Sequence, residues 1–268
     1  MSFSCYFSVG RHNGRMSKAL RKGAVFLAMT ALLIASEAAA AQDKIILRAG
    51  APAVGEIMAY NAQSGTVTLK TAQGEIPYPM ANITRVELAE RPAAAEGISA
   101  AAEERYPEAV EKLKPLVDKF LGLDAAWVPQ AAGVLAEALA RTGKTFESEQ
   151  LADAILKAYP NSVFRFQGMI AKASSLVARQ QMDPALALLA EVEKAFPPTA
   201  APDAGSMQIL SNLHFSKGQI YKAKGDKAKA YESFLTVASL YHQPAKRAAQ
   251  ALAEAEALRK EDPKLAVN

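Results

Sequence analysis

Cysteine and histidine are nearly absent from this sequence, and both absences restrict its chemistry. The one cysteine is Cys5, and the three histidines are His12, His214 and His242. A single cysteine forms no internal disulfide, and Cys5 lies in a segment that we expect to be removed, which excludes a cysteine metal site or thiol nucleophile. His214 and His242 lie on separate predicted helices, outside any metal-binding spacing. We therefore predict no catalytic residue, no metal and no cofactor.

A cluster of positive charge is also lacking. The chain has 31 basic and 27 acidic residues; residues 1–41 contain five of the basic and one of the acidic ones, which leaves 26 of each in residues 42–268. Binding a phosphate backbone requires clustered Lys and Arg. The densest group straddles a predicted helix end, as is typical of a solvated surface: Lys222, Lys224, Lys227 and Lys229. Nucleic acid is therefore not an expected partner.

The one long apolar run, residues 24–35, follows five basic residues near the N-terminus. This run is short for a bilayer span but typical of a secretory signal peptide, and Ala39-Ala40-Ala41 offers a processing site. We expect residues 1–41 to be a signal peptide cleaved before Gln42, with Met16 as an alternative start; an uncleaved membrane anchor is the other interpretation. No cysteine follows the cleavage point, so a lipoprotein is not expected. The predicted location is periplasmic or secreted, without stable membrane insertion after cleavage.

Residues 42–92 have the two-residue period of β-strands. Short apolar or alternating stretches occur at residues 45–47, 54–58, 66–70, 75–78 and 83–88, with turn residues between them. Five short strands in so few residues suit a small closed barrel, because closure removes exposed sheet edges. The pattern resembles SH3-like and Sm-like barrels, which implies a docking or oligomerisation module, with a second copy of the chain as a partner to test.

From residue 93 to residue 268 the period is helical, and a five-residue frame recurs four times. We predict helices at about 94–105, 107–120, 126–142, 145–158, 163–180, 183–195, 204–224, 227–241 and 245–260. In the clearest copy of the frame, small and large residues alternate around a glycine that ends the first helix. The four copies are Gly97, Ala100, Glu104, Ala109, Leu113; Ala136, Leu139, Gly143, Ser148, Ala152; Ala173, Leu176, Gln180, Ala185, Leu189; and Gly218, Tyr221, Gly225, Ala230, Phe234.

This frame resembles the tetratricopeptide repeat, and the helix closures at Tyr159-Pro160-Asn161-Ser162 and Phe196-Pro197-Pro198 resemble those of periplasmic bacterial members of the family. The resemblance implies an all-α solenoid of four helical hairpins with a last helix as a cap, which here would follow the predicted β-barrel. It also implies that the first helix of each hairpin lines a concave groove. The family's inward positions fall on Gly133, Glu137 and eight candidate groove residues: Gln130, Gln167, Ile170, Ser174, Asn212, Phe215, Gln219 and Lys222. Phe215 is the expected anchor of a partner, and the competing interpretation makes it a core residue.

A groove of amide and apolar groups suits an extended peptide or a helix of a protein partner. The expected function is a non-enzymatic scaffold or adaptor for protein–protein interactions in the bacterial cell envelope. Two alternatives stay open: a periplasmic binder of a polymeric or small ligand through the barrel, and an enzyme with an unrecognised site. A polymer binder would need exposed aromatic residues on the barrel, where only Tyr60 and Tyr78 are available.

Export gives the first testable prediction. If residues 1–41 are a signal peptide, N-terminal sequencing of the stable cellular form should begin at or near Gln42. Recovery of an intact precursor that remains embedded in the membrane would contradict cleavage and favour the anchor.

Overall fold

The computed structural model describes residues 42–196 and 202–266, and the predicted signal peptide lies outside these residues. Residues Gln42–Asn268 form one compact unit. In the described part, a five-stranded antiparallel sheet precedes nine helices. The strands are β1 (Asp43–Leu47), β2 (Ala53–Asn61), β3 (Thr66–Thr71), β4 (Gly74–Pro79) and β5 (Ile83–Glu87). The helices are α1 (Pro92–Ala102), α2 (Tyr106–Phe120), α3 (Trp127–Arg141), α4 (Thr145–Ala158), α5 (Arg165–Ala178), α6 (Met182–Ala195), α7 (Ala204–Ala223), α8 (Lys227–Ser239) and α9 (Ala245–Glu261).

The sheet is open, which corrects the closed barrel expected from the sequence. Its strand order is β4-β3-β2-β1-β5, so β4 and β5 form its two edges. The apolar residues of the sheet are buried against the helices: Ile45, Ile57 and Leu69 belong to one hydrophobic cluster with residues of α1 to α4. The sheet and the first four helices therefore share one core. Pro77 and Pro79 lie in edge strand β4, where proline discourages further strand pairing.

A buried carboxylate ties the sheet to the first helix. Asp43, at the start of β1, is 2% exposed. Its Oδ2 accepts hydrogen bonds from the backbone N–H of Ile57 at 2.7 Å and from the guanidinium of Arg91 at 2.6 Å. Its Oδ1 accepts one from the N–H of Ala89 at 2.9 Å. Because Arg91 is the residue that precedes α1, this carboxylate fixes the start of the helical part relative to two strands.

The helices form four antiparallel hairpins, and the predicted frame marks their turns. At the third position of each copy the backbone has positive φ, with values of 60° at Glu104, 78° at Gly143, 63° at Gln180 and 79° at Gly225. Only glycine adopts this region without strain. Glu104 and Gln180 nevertheless adopt the same turn. The geometry of the repeat, and not the preference of the residue itself, therefore determines the backbone conformation at these two positions.

Within a hairpin, a small residue on the first helix meets a large one on the second. A Cβ on Gly97 would lie 2.6 Å from Cγ of Leu113, and a Cβ on Gly218 would lie 2.7 Å from Cε1 of Phe234. In the second hairpin Ser148 Oγ donates a hydrogen bond to the carbonyl oxygen of Ala136 at 2.7 Å. The frame of the last hairpin predicts that Ala230 faces Gly218. Ala230 is fully buried, but the atoms nearest a Cβ on Gly218 belong to the Phe234 ring.

Three hydrophobic clusters follow one another along the chain. The first joins the sheet to α1 to α4 and extends to one residue of α5, the second joins α5, α6 and α7, and the third joins α7, α8 and α9. The first helices of successive hairpins also contact one another, α1 with α3, α3 with α5 and α5 with α7, and α7 contacts α9 in the same way. These first helices therefore form a continuous wall that ends at α9.

The close contact at Gly218 gives the second prediction. Gly218→Leu should overpack the contact with Phe234, and Ala230→Leu should overpack the same hairpin, each at a cost of roughly 1–3 kcal/mol in the free energy of unfolding. Lys229→Leu is the control, because the Lys229 side chain is 60% exposed. The unfolding midpoint of each variant in urea is compared with that of the wild type. Equal midpoints for the three variants and the wild type would show that the repeat frame is misplaced.

Candidate interaction groove

A cavity of about 560 Å³ lies between α9 and the inner sides of α2, α3 and α7. Its walls mix aromatic, charged, amide and small residues. They are formed by Glu104, Tyr106, Arg141, Phe215, Gln219, Gln250, Ala253, Glu254 and Ala257. A second cavity of about 220 Å³ continues between α3, α5 and α7 and shares Arg141 and Gln219 with the first. We call the two cavities together the groove.

A buried guanidinium lies beside the groove and contacts two of its lining residues, Tyr106 and Phe215. Arg247, in the first turn of α9, is 3% exposed. It donates hydrogen bonds to Asn212 Oδ1 at 2.7 Å, to the hydroxyl of Tyr106 at 2.8 Å and to Glu137 Oε1 at 2.8 Å. Asn212 in turn donates to Glu137 Oε2 at 2.6 Å. These four residues come from α9, α7, α2 and α3, so the group joins the last helix to the first two hairpins.

The charges of this group stabilise one another. Burial by itself would lower the pKa of Arg247, but the carboxylate of Glu137 and the hydrogen bond between them raise it above its usual value. Burial would likewise raise the pKa of Glu137, but Arg247 and Arg141 lower it below its usual value. The pKa of Tyr106 is raised, first by burial and then by Glu137. Glu137 and Arg247 therefore form a buried ion pair, and Tyr106 keeps its proton.

Two arginines also lie over aromatic rings of the groove. The guanidinium carbon of Arg141 is 5.7 Å from the centre of the Tyr106 ring and 5.5 Å from that of Phe215. Arg247 lies 4.9 Å from the Phe215 ring centre. Such contacts orient a guanidinium by its attraction to the ring face. Arg141 is exposed, in contrast to Arg247, so it presents an oriented hydrogen-bond donor to whatever enters the groove.

Three of the eight residues expected in the groove line it: Ser174, Phe215 and Gln219. Phe215 is only 3% exposed and its ring packs edge-to-face against Phe234 at 5.5 Å, so it is a core residue as well as part of the wall. Lys222 lies at the rim, where its Nζ is 2.6 Å from Oε2 of Glu254.

The other four expected residues lie elsewhere. Asn212 is 3% exposed and belongs to the Arg247 group beside the groove. Gln167 and Ile170 are 1% and 3% exposed, Ile170 within the second hydrophobic cluster and Gln167 against Gly133. Gln130 is half-buried and does not line either cavity. The inward positions carried over from the repeat family therefore divide between the core and the groove.

Arg141, Arg247 and Gln250 are not among the residues that the sequence predicts for the groove. Arg141 ends α3 and looks like an ordinary C-terminal cation of a helix. Arg247 did carry a signal, because it shares its side of α9 with Ala251, Ala255 and Leu258, all of them buried. A charged residue on a buried stripe is costly unless a partner of opposite charge receives it. The partner, Glu137, is 110 residues away and cannot be identified from the sequence alone.

In the part of the chain that the structure describes, no cluster of three or more His, Cys, Asp or Glu side chains is arranged to hold a metal ion. His214 stacks against Tyr241, with ring centres 5.2 Å apart, and burial lowers its pKa to about 4. Across residues 42–196 and 202–266, no helix combines the length and the apolar character needed to cross a membrane.

The buried ion pair gives the third prediction. Glu137→Met or Arg247→Met alone leaves the other charge buried without its main partner, which should cost about 3–5 kcal/mol in the free energy of unfolding. The double variant removes both charges and should lose much less than the sum of the single variants. Urea unfolding of the four proteins measures the coupling. Losses that simply add would show that the two side chains do not depend on each other.

No protein-family model matches the sequence, and no curated protein is significantly similar to it. Among solved structures, MamA AMB-1 is 22% identical, with 65% of this chain and 99% of that chain covered and a TM-score of 0.37. MamA MSR-1 is 20% identical, with 64% and 95% covered and a TM-score of 0.35. Both similarities are too distant to support a conclusion about function.

Proposed function

We propose that this protein is a non-enzymatic scaffold that holds a protein partner in the groove between α3, α5, α7 and α9. The observation that supports the proposal most directly is the continuity of the groove, whose cavities of about 560 and 220 Å³ meet at Arg141 and Gln219. An elongated site of this kind suits an extended peptide or a helix better than a compact small molecule.

The chemistry of the walls supports the same function. Arg141 and Gln219 are exposed and offer hydrogen bonds to a peptide backbone or to polar side chains. The acidic groups of the walls already have partners: Glu254 pairs with Lys222, and Glu104 accepts a hydrogen bond from Gln250 at 2.5 Å. Neither carboxylate is positioned as a free acid–base catalyst, so recognition is the simpler use of the site.

The sheet is a weaker candidate for ligand binding, because both of its candidate aromatic residues take part in packing. Tyr60 lies against Gly122, where an added Cβ would be 2.7 Å from its ring, and Tyr78 packs against the first hydrophobic cluster. We further propose that the scaffold works in the cell envelope after export, on the basis of residues 1–41. The sheet would then be a docking or self-association module.

A photo-crosslinking amino acid in the groove tests this proposal. Placed at Gln219 and, in a separate protein, at the exposed Gln150 of α4, it should give a discrete protein adduct in intact cells only from position 219. Arg141→Ala should weaken that adduct about tenfold, because one charge-assisted contact is lost. Lys157→Ala, an exposed substitution on α4, is the matched control. Identical adducts from both positions, or an adduct insensitive to Arg141, would refute the groove as the partner site.

A further inference from the structure

The two edges of the open sheet differ in their capacity to accept another strand. Edge strand β4 contains Pro77 and Pro79, which have no backbone N–H to donate. Edge strand β5 contains no proline, and in the described residues β1 is the only strand that pairs with it. A regular strand edge of this kind offers hydrogen bonds to a further strand.

The backbone of Val86 lies in the middle of this free edge. On one side of the strand the N–H of Ala89 donates to Asp43 Oδ1 of β1, and the carbonyl oxygen of Leu88 instead accepts a hydrogen bond from Trp127 of α3. Backbone groups of successive residues in a strand point alternately to its two sides. The N–H and C=O of Val86 therefore point away from β1, while its side chain is buried in the first hydrophobic cluster.

The side chains on either side of Val86 carry opposite charges and are accessible. Arg85 is 67% exposed and Glu87 is 37% exposed, and the two form an ion pair within β5. Their arrangement about Val86 is self-complementary. In an antiparallel pair of two β5 strands centred on Val86, Arg85 of each copy lies directly opposite Glu87 of the other. A pair centred on Arg85 would instead place two arginines opposite each other, which is unfavourable.

We infer that β5 pairs with β5 of a second copy of this chain, about a two-fold axis at Val86. This inference rests on the proposed role of the sheet as a self-association module. Two backbone hydrogen bonds join the two Val86 residues, and an Arg85–Glu87 pair flanks them on each side. Because Trp127 occupies the edge at Leu88, the paired segment is short, and the dimer forms in a concentration-dependent way.

The same features explain why pairing would stop at two copies. A two-fold contact uses the same edge of both chains, so it closes on itself. The prolines of β4 discourage further pairing at the opposite edge. The groove is formed by helices and takes no part in the contact, so a dimer presents two grooves. A partner that carries two recognised segments would bind such a dimer more tightly than a single copy.

Charge reversal tests the pairing, because it predicts which copies associate with each other. Arg85→Glu places two glutamates opposite each other in both flanking pairs, and Glu87→Arg places two arginines there. Each variant alone should dimerise at least about tenfold more weakly than the wild type. An equimolar mixture of the two should form heterodimers, because every glutamate then faces an arginine. Sedimentation velocity over a range of concentrations measures association in the protein recovered from cells.

The matched control is Glu75→Arg, which reverses an exposed charge on the other edge strand, β4. This variant should dimerise as the wild type does. It shows whether the effect depends on the edge that is changed or only on the net charge of the chain.

Disulfide formation reports on the register of the two strands. In a Cys5→Ser background, a mixture of the Arg85→Cys and Glu87→Cys variants should form a disulfide-linked dimer under mild oxidation. Directly opposite residues of a pair without backbone hydrogen bonds have Cα atoms about 4.5 Å apart, within the range of a disulfide. Either variant alone should form little, because its two cysteines are offset by two residues along the strands.

Three outcomes would each overturn the inference: a wild type that is monomeric at every concentration, reversed variants that do not associate when mixed, and equal disulfide yields from the mixed and separate cysteine variants. The photo-crosslinking experiment separates this inference from the groove. A discrete adduct at Gln219 of a monomeric protein would retain the scaffold and reject only the pairing of β5. A dimer that gives no such adduct would retain the pairing and reject the groove.

Discussion

A buried guanidinium joins the two ends of the helical stack. Arg247 reaches from α9 to Glu137 on α3, Asn212 on α7 and Tyr106 on α2, and the larger cavity exists because α9 is held across the other helices in this way. Buried ion pairs contribute little net stability relative to apolar packing, but they strongly disfavour arrangements that leave one charge alone. The contact therefore specifies the position of α9 more than it strengthens the fold.

The helices between the two ends of the stack pack as a series of successive hydrophobic clusters. Each hydrophobic cluster is shared by neighbouring hairpins, as in solenoids, where stability comes from repeats and their nearest-neighbour interfaces. The small-to-large contacts of Gly97 with Leu113 and of Gly218 with Phe234 set the distance between the helices of a hairpin. At the N-terminal end the sheet packs on the first hairpin as a further hairpin would. It shares its core with the first helices, and Asp43 and Arg91 connect the two parts.

The two sides of the groove are held in place by contacts of different kinds. Apolar clusters hold the wall of first helices and also hold α9 against α7 and α8, whereas Lys246, Arg247 and Gln250 of α9 make hydrogen bonds to the first hairpin. Polar contacts can be exchanged for similar contacts at small cost, while apolar surface cannot be exposed without loss.

The sequence by itself determined the local structure. The period of apolar residues placed five strands and nine helices close to their observed limits, and the four-copy frame located every hairpin turn, including those at Glu104 and Gln180 where glycine is missing. These features depend on residues near one another in the chain, so they can be inferred from spacing. Ser174, Phe215 and Gln219, which the resemblance to the repeat family places on the concave side, line the groove.

Only the tertiary structure decided the rest. The sheet is open and its buried residues share a core with the first four helices, and such contacts between distant segments cannot be inferred from spacing. Gln167 and Ile170 share the inward helices of the repeat with Gln219, yet the neighbouring helices bury them. Arg247 looked like one more cation on an alanine-rich helix until the stack brought Glu137 to it. A pair of charges so far apart in the chain leaves no periodic signal, because its spacing is set by how many hairpins lie between them.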